Sequence, residues 1–169
     1  MRERDAGADG DNVNAPSVEA LASVPMPSAI HHLTILHYPP QGGWTSEDVI
    51  APTWSRVEQA IRRMDDVEYP IVQLHPSDDD EEGASFHVLG GNGRWVLFDL
   101  FGAWQYEDPK GGDADVRLWQ SDQGYFCKER NLVHDVDRVL RITKAYFDTA
   151  SYEEVDRAAR AELARLTPS

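Results

Sequence analysis

The chain has 169 residues, 41% of them hydrophobic, with thirty acidic against sixteen basic side chains and a formal net charge of −14. That composition supports a buried core but gives a surface that repels phosphate backbones and anionic lipid headgroups; it argues against nucleic-acid or membrane partners and for a cationic one. Cys127 is the single cysteine, the N-terminus lacks an apolar signal region, and no apolar run approaches the ~20 residues of a membrane span, so a reducing cytoplasm is the expected compartment.

Residues 1–28 read as a disordered acidic tail. They carry Gly7, Gly10, Pro16, Pro25, Pro27 and five acidic residues, with few large apolar side chains to offset their ordering entropy. An α+β domain is expected from residue 29 to 150, and 151–169 form a C-terminal helix and end. The first strand surrounds Leu33, Ile35 and Leu36, and a loop through Gly42 and Gly43 follows. Trp54, Val57, Ile61 and Met64 recur at helical spacing and predict a helix from about 53 to 64, capped by Thr53 or by Ser55 with Glu58. Strands are then expected over 69–74, 84–89 and 94–101, the last two joined at Asn92-Gly93, a turn pair that tolerates positive φ. Trp95, Phe98 and Phe101 are assigned to the core.

A further strand pair, 104–107 with 116–119, is expected around the turn at 110–113, and 124–127 adds a short strand. Leu132, Val136, Val139, Leu140, Thr143 and Phe147 mark a helix over about 132–147. Ser151 and Glu154 form a capping box for a last helix over 151–166. The expected architecture is α+β: an antiparallel meander sheet packed against an early helix and one or two C-terminal helices.

Motifs for chemistry are weak. Asp78-x-Asp80-x-Glu82 resembles half of a calcium loop, but the twelfth position is Leu89, where a bidentate Glu is required. The glycines at 90, 91 and 93 precede a strand rather than a helix N-terminus, so they read as turn residues and not as a phosphate cradle. Cys127, His134 and Asp135 carry the residue types of a nucleophilic triad without a recognisable signature, and Cys127 reads as a small buried hydrophobe. The six histidines show no metal-ligand spacing, although His31 and His87 can project from neighbouring strands. No cofactor is expected.

What remains is surface. Asp78, Asp79, Asp80, Glu81 and Glu82 form one acidic loop. Glu107, Asp108, Asp113 and Asp115 form another, flanked by Trp104, Tyr106 and Trp119. Rings supply contact area and carboxylates supply on-rate toward a basic protein; the competing reading is that these rings cover one face of the sheet.

From Trp54 to about Tyr152 the order of elements resembles immunity proteins of bacterial polymorphic toxin systems, in particular a family often paired with deaminase toxins. The resemblance rests on Trp54-Ser55-Arg56-Val57-Glu58, on Gly91-Asn92-Gly93-Arg94-Trp95-Val96-Leu97, on Asp122-Gln123-Gly124-Tyr125-Phe126, and on Ala145-Tyr146-Phe147-Asp148-Thr149. Family members commonly have Gly after that Thr; this chain has Ala150. The resemblance implies a non-enzymatic cytoplasmic inhibitor that plugs the basic cleft of a cognate toxin domain with the residues of the two acidic loops and their aromatics. Two alternatives stay open: a small-molecule-binding or enzymatic α+β domain using His87, Cys127 or His134, and an effector chaperone.

Overall fold

The computed structural model describes residues 28–77, 85–119 and 124–166. Five strands, β1 (His32–His37), β2 (Thr45–Ile50), β3 (Ile71–His75), β4 (Phe86–Gly91) and β5 (Arg94–Asp99), form an antiparallel sheet in the order β2-β1-β3-β4-β5. A small sheet pairs β6 (Asp115–Leu118) with β7 (Tyr125–Lys128), and three helices, α1 (Trp54–Arg63), α2 (Val136–Thr149) and α3 (Tyr152–Arg165), complete the expected α+β fold. Among the described residues no helix is long and apolar enough to cross a membrane.

The period of two along each strand decides which layer each side chain enters. Leu33, Ile35, Val72, Leu74, Phe86, Val88, Trp95 and Leu97 face the helices and bury against Val57, Ile61, Val139, Ile142, Tyr146 and Val155. Their neighbours Ile71, Leu89 and Val96 face the other way and pack with Leu118 and Leu132, joined by Phe98, Tyr125 and Cys127. At about 1.5–3 kcal/mol for each large apolar side chain fully buried, both layers contribute substantially.

Helix α1 follows its sequence signals. Thr53 is its N-cap, with Oγ1 accepting from the Arg56 amide, and Val57, Ala60, Ile61 and Met64 are buried. Arg62 and Arg63 sit in the last turn, where the helix dipole favours cations. The start of α2 differs from expectation. Val133 bridges Trp95 by two backbone hydrogen bonds, and Leu132 packs under the small sheet, so the helix begins only after the N-cap Asp135. Ser151 is the N-cap of α3, but its side chain makes no capping bond.

Two regions of strand differ as well. The loop expected after Gly43 contains β2, an exposed edge strand of sequence Thr-Ser-Glu-Asp-Val-Ile that is ordered by its register with β1, from His32 opposite Ile50 to His37 opposite Thr45. The expected 104–107/116–119 pair does not form. β6 pairs instead with β7, and Gln105 bridges Phe98, so residues 104–106 and Val133 block the outer edge of β5. Strand β5 also stops at Asp99. The sequence Asp99-Leu100-Phe101-Gly102 turns there, with Gly102 N–H donating to the Asp99 carbonyl, and Phe101, assigned to the core from sequence, is 70% exposed.

The glycine-rich segment divides into two roles. Asn92 and Gly93, at φ 52° and 85°, make the β4–β5 turn as the sequence predicts. Gly91 lies in the strand at φ +143°, and a Cβ there would stand 2.5 Å from the backbone nitrogens of both Asp65 and Asp66. Gly91→Ala is therefore expected to cost about 2–4 kcal/mol in denaturant unfolding, from strain plus overpacking, against about 1 kcal/mol for Gly93→Ala, whose Cβ would meet nothing within 4 Å. Equal costs at the two sites would contradict the close approach. Ala150 ends α2 at φ 49°, in the left-handed region. Ala150→Gly should raise stability by about 0.5–1.5 kcal/mol by relieving the Cβ clash, and an unchanged or lower midpoint would count against that strain.

Candidate functional site

The residues singled out from sequence fall in four places. Asp78, Asp79, Asp80, Glu81 and Glu82 lie outside the described residues. Tyr106 is a correction: at 1% exposure it is a core residue and offers no surface to a partner. Its N–H donates to the Leu97 carbonyl, the Asn131 side chain donates to its carbonyl, and burial pushes its hydroxyl pKa up, partly offset by the Arg138 guanidinium. Trp119 packs with the layer under β6–β7, its ring 4.9 Å from Tyr38 and its amide donating to Asp66 Oδ1 at 2.7 Å. Trp104 lies on the helix side of the sheet, its ring 6.0 Å from both Phe86 and Tyr152. The two tryptophans therefore belong to opposite faces and do not form one hot spot.

The second acidic loop is zipped onto the end of β7 and the turn that follows it. Arg130 pairs with Glu107 at 3.2 Å and with Asp113, and Lys128 pairs with Asp115 at 2.6 Å. Backbone bonds run alongside, from Asp108 N to Arg130 O, Arg130 N to Gly112 O and Glu129 N to Ala114 O. Gly111 permits the approach, because a Cβ there would stand 2.5 Å from Arg130 Cα. Three of the four carboxylates are thus held by neighbouring cations, and Asp108 Oδ1 accepts from the Lys110 amide. Nineteen of the thirty acidic and fourteen of the sixteen basic residues are among the described ones, a net of −5 against −14 for the chain. Most of the charge surplus belongs to the segments outside them.

Between residues 103–110 and α3 runs a groove, a cavity of about 510 Å³ adjoining one of about 470 Å³ that shares its walls Pro109, Arg160 and Leu163. Trp104, Glu107 and Asp108 line it from one side, and Asp156, Ala159 and Arg160 from the other; Leu166 lies at one end. Of the twelve residues chosen from sequence, these three come together. No sequence signal pointed to the α3 wall: Leu163 packs partly against the core while its other side lines the groove, and Leu166 at the end of the helix is exposed. Leu100 and Phe101, exposed on the turn just before Ala103, were missed too. The signal was present: Asp at the first and Gly at the fourth position of Asp99–Gly102 is the composition of a type I turn.

The histidine alternative does not converge. The His87 ring is 5% exposed, with Ser85 Oγ 2.8 Å from Nε2 and Gln73 Nε2 3.4 Å from Nδ1. His134 donates from Nδ1 to the Gly93 carbonyl at the other end of the β4–β5 hairpin, about 13 Å away at ~3.3 Å per strand residue. Cys127 sits on β7 opposite Val116, half-buried, with its thiol pKa raised by burial. Among the described residues no group of three or more His, Cys, Asp or Glu is arranged to hold a metal.

If the ion pairs dock the loop, Arg130→Gln should cost about 1 kcal/mol or less, as partly exposed pairs do, yet speed amide exchange in residues 107–115 selectively. Uniform acceleration across the sheet would argue against a local docking role. No protein-family profile, no characterised protein and no solved structure matches this chain.

Proposed function

We propose that the protein is an immunity-type inhibitor, acting in the cytoplasm, that binds a cognate basic toxin domain and occludes its cleft through the groove between residues 103–110 and α3. The observation that carries this reading is the groove itself. It joins an apolar lining of Trp104, Pro109, Ala159 and Leu163 to a polar rim of both signs, Asp108, Lys110 and the Asp156–Arg160 pair at 2.8 Å, with the exposed Leu100 and Phe101 on the turn that leads into it at Ala103. Apolar anchors in a polar rim are the anatomy of a protein interface.

The ion pairs refine the charge argument. Glu107, Asp113 and Asp115 are engaged by Arg130 and Lys128, so their reversal should act mainly on loop docking. Long-range steering is assigned to the acidic run Asp78–Glu82, which carries five negative charges in sequence.

The test begins with tagged protein recovered from its source cells at low and high salt, which either yields a toxin-domain protein or does not. With that partner in hand, Leu100→Ser and Phe101→Ser should each weaken binding at least about tenfold. Phe126→Ser, equally exposed but on β7, should leave affinity unchanged. Reversing Asp78–Glu82 should slow association and flatten its salt dependence. Full affinity in both turn variants would remove the Leu100–Phe101 turn from the interface, full affinity in Leu163→Asp, on the groove wall, would remove the groove, and a partner that is a secreted effector needing delivery would favour the chaperone reading.

A further inference from the structure

Strand β2 ends the main sheet, and among the described residues no strand pairs with its outer edge. All of its residues but Val49 are exposed. The Ala51 N–H donates to the His31 carbonyl, in the register that pairs His32 with Ile50. By the alternation of an antiparallel ladder, the odd-numbered residues of β2 therefore hydrogen-bond β1. Ser46, Asp48 and Ile50 turn their N–H and C=O groups outward, and such a row is a template for a further strand.

The side chains of those three residues share one face. Glu47 and Val49 lie opposite Ile35 and Leu33, which bury under the helices, so Ser46, Asp48 and Ile50 stand on the other side of the sheet. Trp44 continues that row just before the strand. Trp44 is 63% and Ile50 64% exposed, and between them Asp48 accepts from the hydroxyls of Thr34 and Ser46 at 2.6 and 3.2 Å. Among the described residues no cation pairs with Asp48, whereas Glu47, on the helix side, is held by Arg56 and Arg63. Charge on an edge strand ordinarily keeps it from pairing. That role accounts for Asp48, but not for a tryptophan and an isoleucine left in water on either side of it.

We propose that the β2 edge is a second docking surface, which takes an extended basic segment of a partner protein as an added antiparallel strand. Strand addition draws affinity from main-chain hydrogen bonds and specificity from alternate side chains. The row sets the pattern of the incoming segment: an apolar residue opposite Ile50, a Lys or Arg opposite Asp48, and an apolar residue opposite Trp44. A second copy of this chain fits poorly. The two antiparallel registers of greatest overlap place Asp48 opposite Asp48 or Glu47 opposite Glu47, and like charges directly opposite are destabilising. The surface also lies at the other end of the sheet from the groove, which borders β5 through Trp104 and Gln105, so it does not depend on the groove's role.

The probe is the peptide acetyl-Val-Thr-Lys-Thr-Thr-Thr-Val-amide, added to the full-length chain and followed by NMR. The expected result is a set of shift changes confined to residues 44–50 and their neighbours on β1. At saturating peptide, amide exchange at Ser46, Asp48 and Ile50 should slow at least about tenfold, while Glu47 and Val49, already bonded to β1, change little. Asp48→Lys should weaken this peptide about fivefold or more, and strengthen the version with Glu in place of its Lys by a similar factor. Ser46→Pro removes one outward N–H and none of the bonds to β1, and should weaken the peptide about fivefold. If either strand variant folds poorly, Trp44→Ser, outside the strand, tests the same row. Leu163→Asp, on the groove wall, should leave the peptide's affinity intact. Shift changes absent from residues 44–50 at millimolar peptide, or found at 103–110 instead, would overturn the proposal. So would equal binding of the Lys and Glu peptides, or dimerisation of the chain that Ser46→Pro abolishes, which would make a second copy the occupant.

Discussion

Strand β4 buries all six of its residues, and that constraint organises the rest of the molecule. A strand buried on both faces needs cover on both. One cover is the helical layer, where Val57, Ile61, Ile142, Tyr146 and Val155 meet Phe86 and Val88. The other is the β6–β7 ribbon with Leu132, which closes over Leu89 and Val96. The chain from 104 to 133 therefore wraps around β5 rather than extending the meander, seals that edge with irregular backbone bonds, and delivers β6 and β7 to the far face. The groove is a by-product of that wrapping, since it is the seam between the passing segment and α3.

The same wrapping explains how the acidic residues are used. A loop that crosses the end of a sheet needs fixing, and Arg130 and Lys128 fix this one through Glu107, Asp113 and Asp115. A parallel device joins the last two helices: Glu162, buried on α3, accepts from Nε and Nη2 of Arg141 on α2, both at 2.8 Å. Paired partners of this kind contribute more to register than to net stability, because desolvation offsets much of the attraction. Composition reports a strongly acidic protein, whereas the described fold is only mildly so.

Polar groups are not confined to the surface. Asp66, Asp99, His75 and His87 are all buried; Asp66 lies where the chain bends, Asp99 and His75 end their strands, and His87 lies within β4. Asp65 accepts from three successive amides, Val67, Glu68 and Tyr69, and despite the opposing effect of burial these bonds hold its pKa below the usual value. Asp66 beside it shows the reverse balance, its pKa raised by burial although Trp119 donates to it and Arg94 lies 3.5 Å away. Two adjacent carboxylates are thus tuned apart by how many donors each can reach.

Local patterns determined the parts of the structure whose causes are local. The cap and apolar stripe of α1, the Asn92-Gly93 turn, the stripe of α2 beyond its first turn and the α+β class all follow from spacing within a few residues. Strand β2 was illegible because its Ser, Glu and Asp disfavour strands, and only β1 supplies the ladder that orders it. Leu132 and Val133 fit a helical stripe equally well, and backbone bonds from Trp95 drew Val133 out of it. Of the residues grouped from sequence, Trp104, Glu107 and Asp108 line the groove, whereas Tyr106 is turned into the core by alternation and Trp119 is carried by the ribbon to the opposite face. Residue type is written in the chain. Which aromatic is wetted and which carboxylate is spent on an arginine depend on contacts between residues tens of positions apart, and only the packed sheet brings those together.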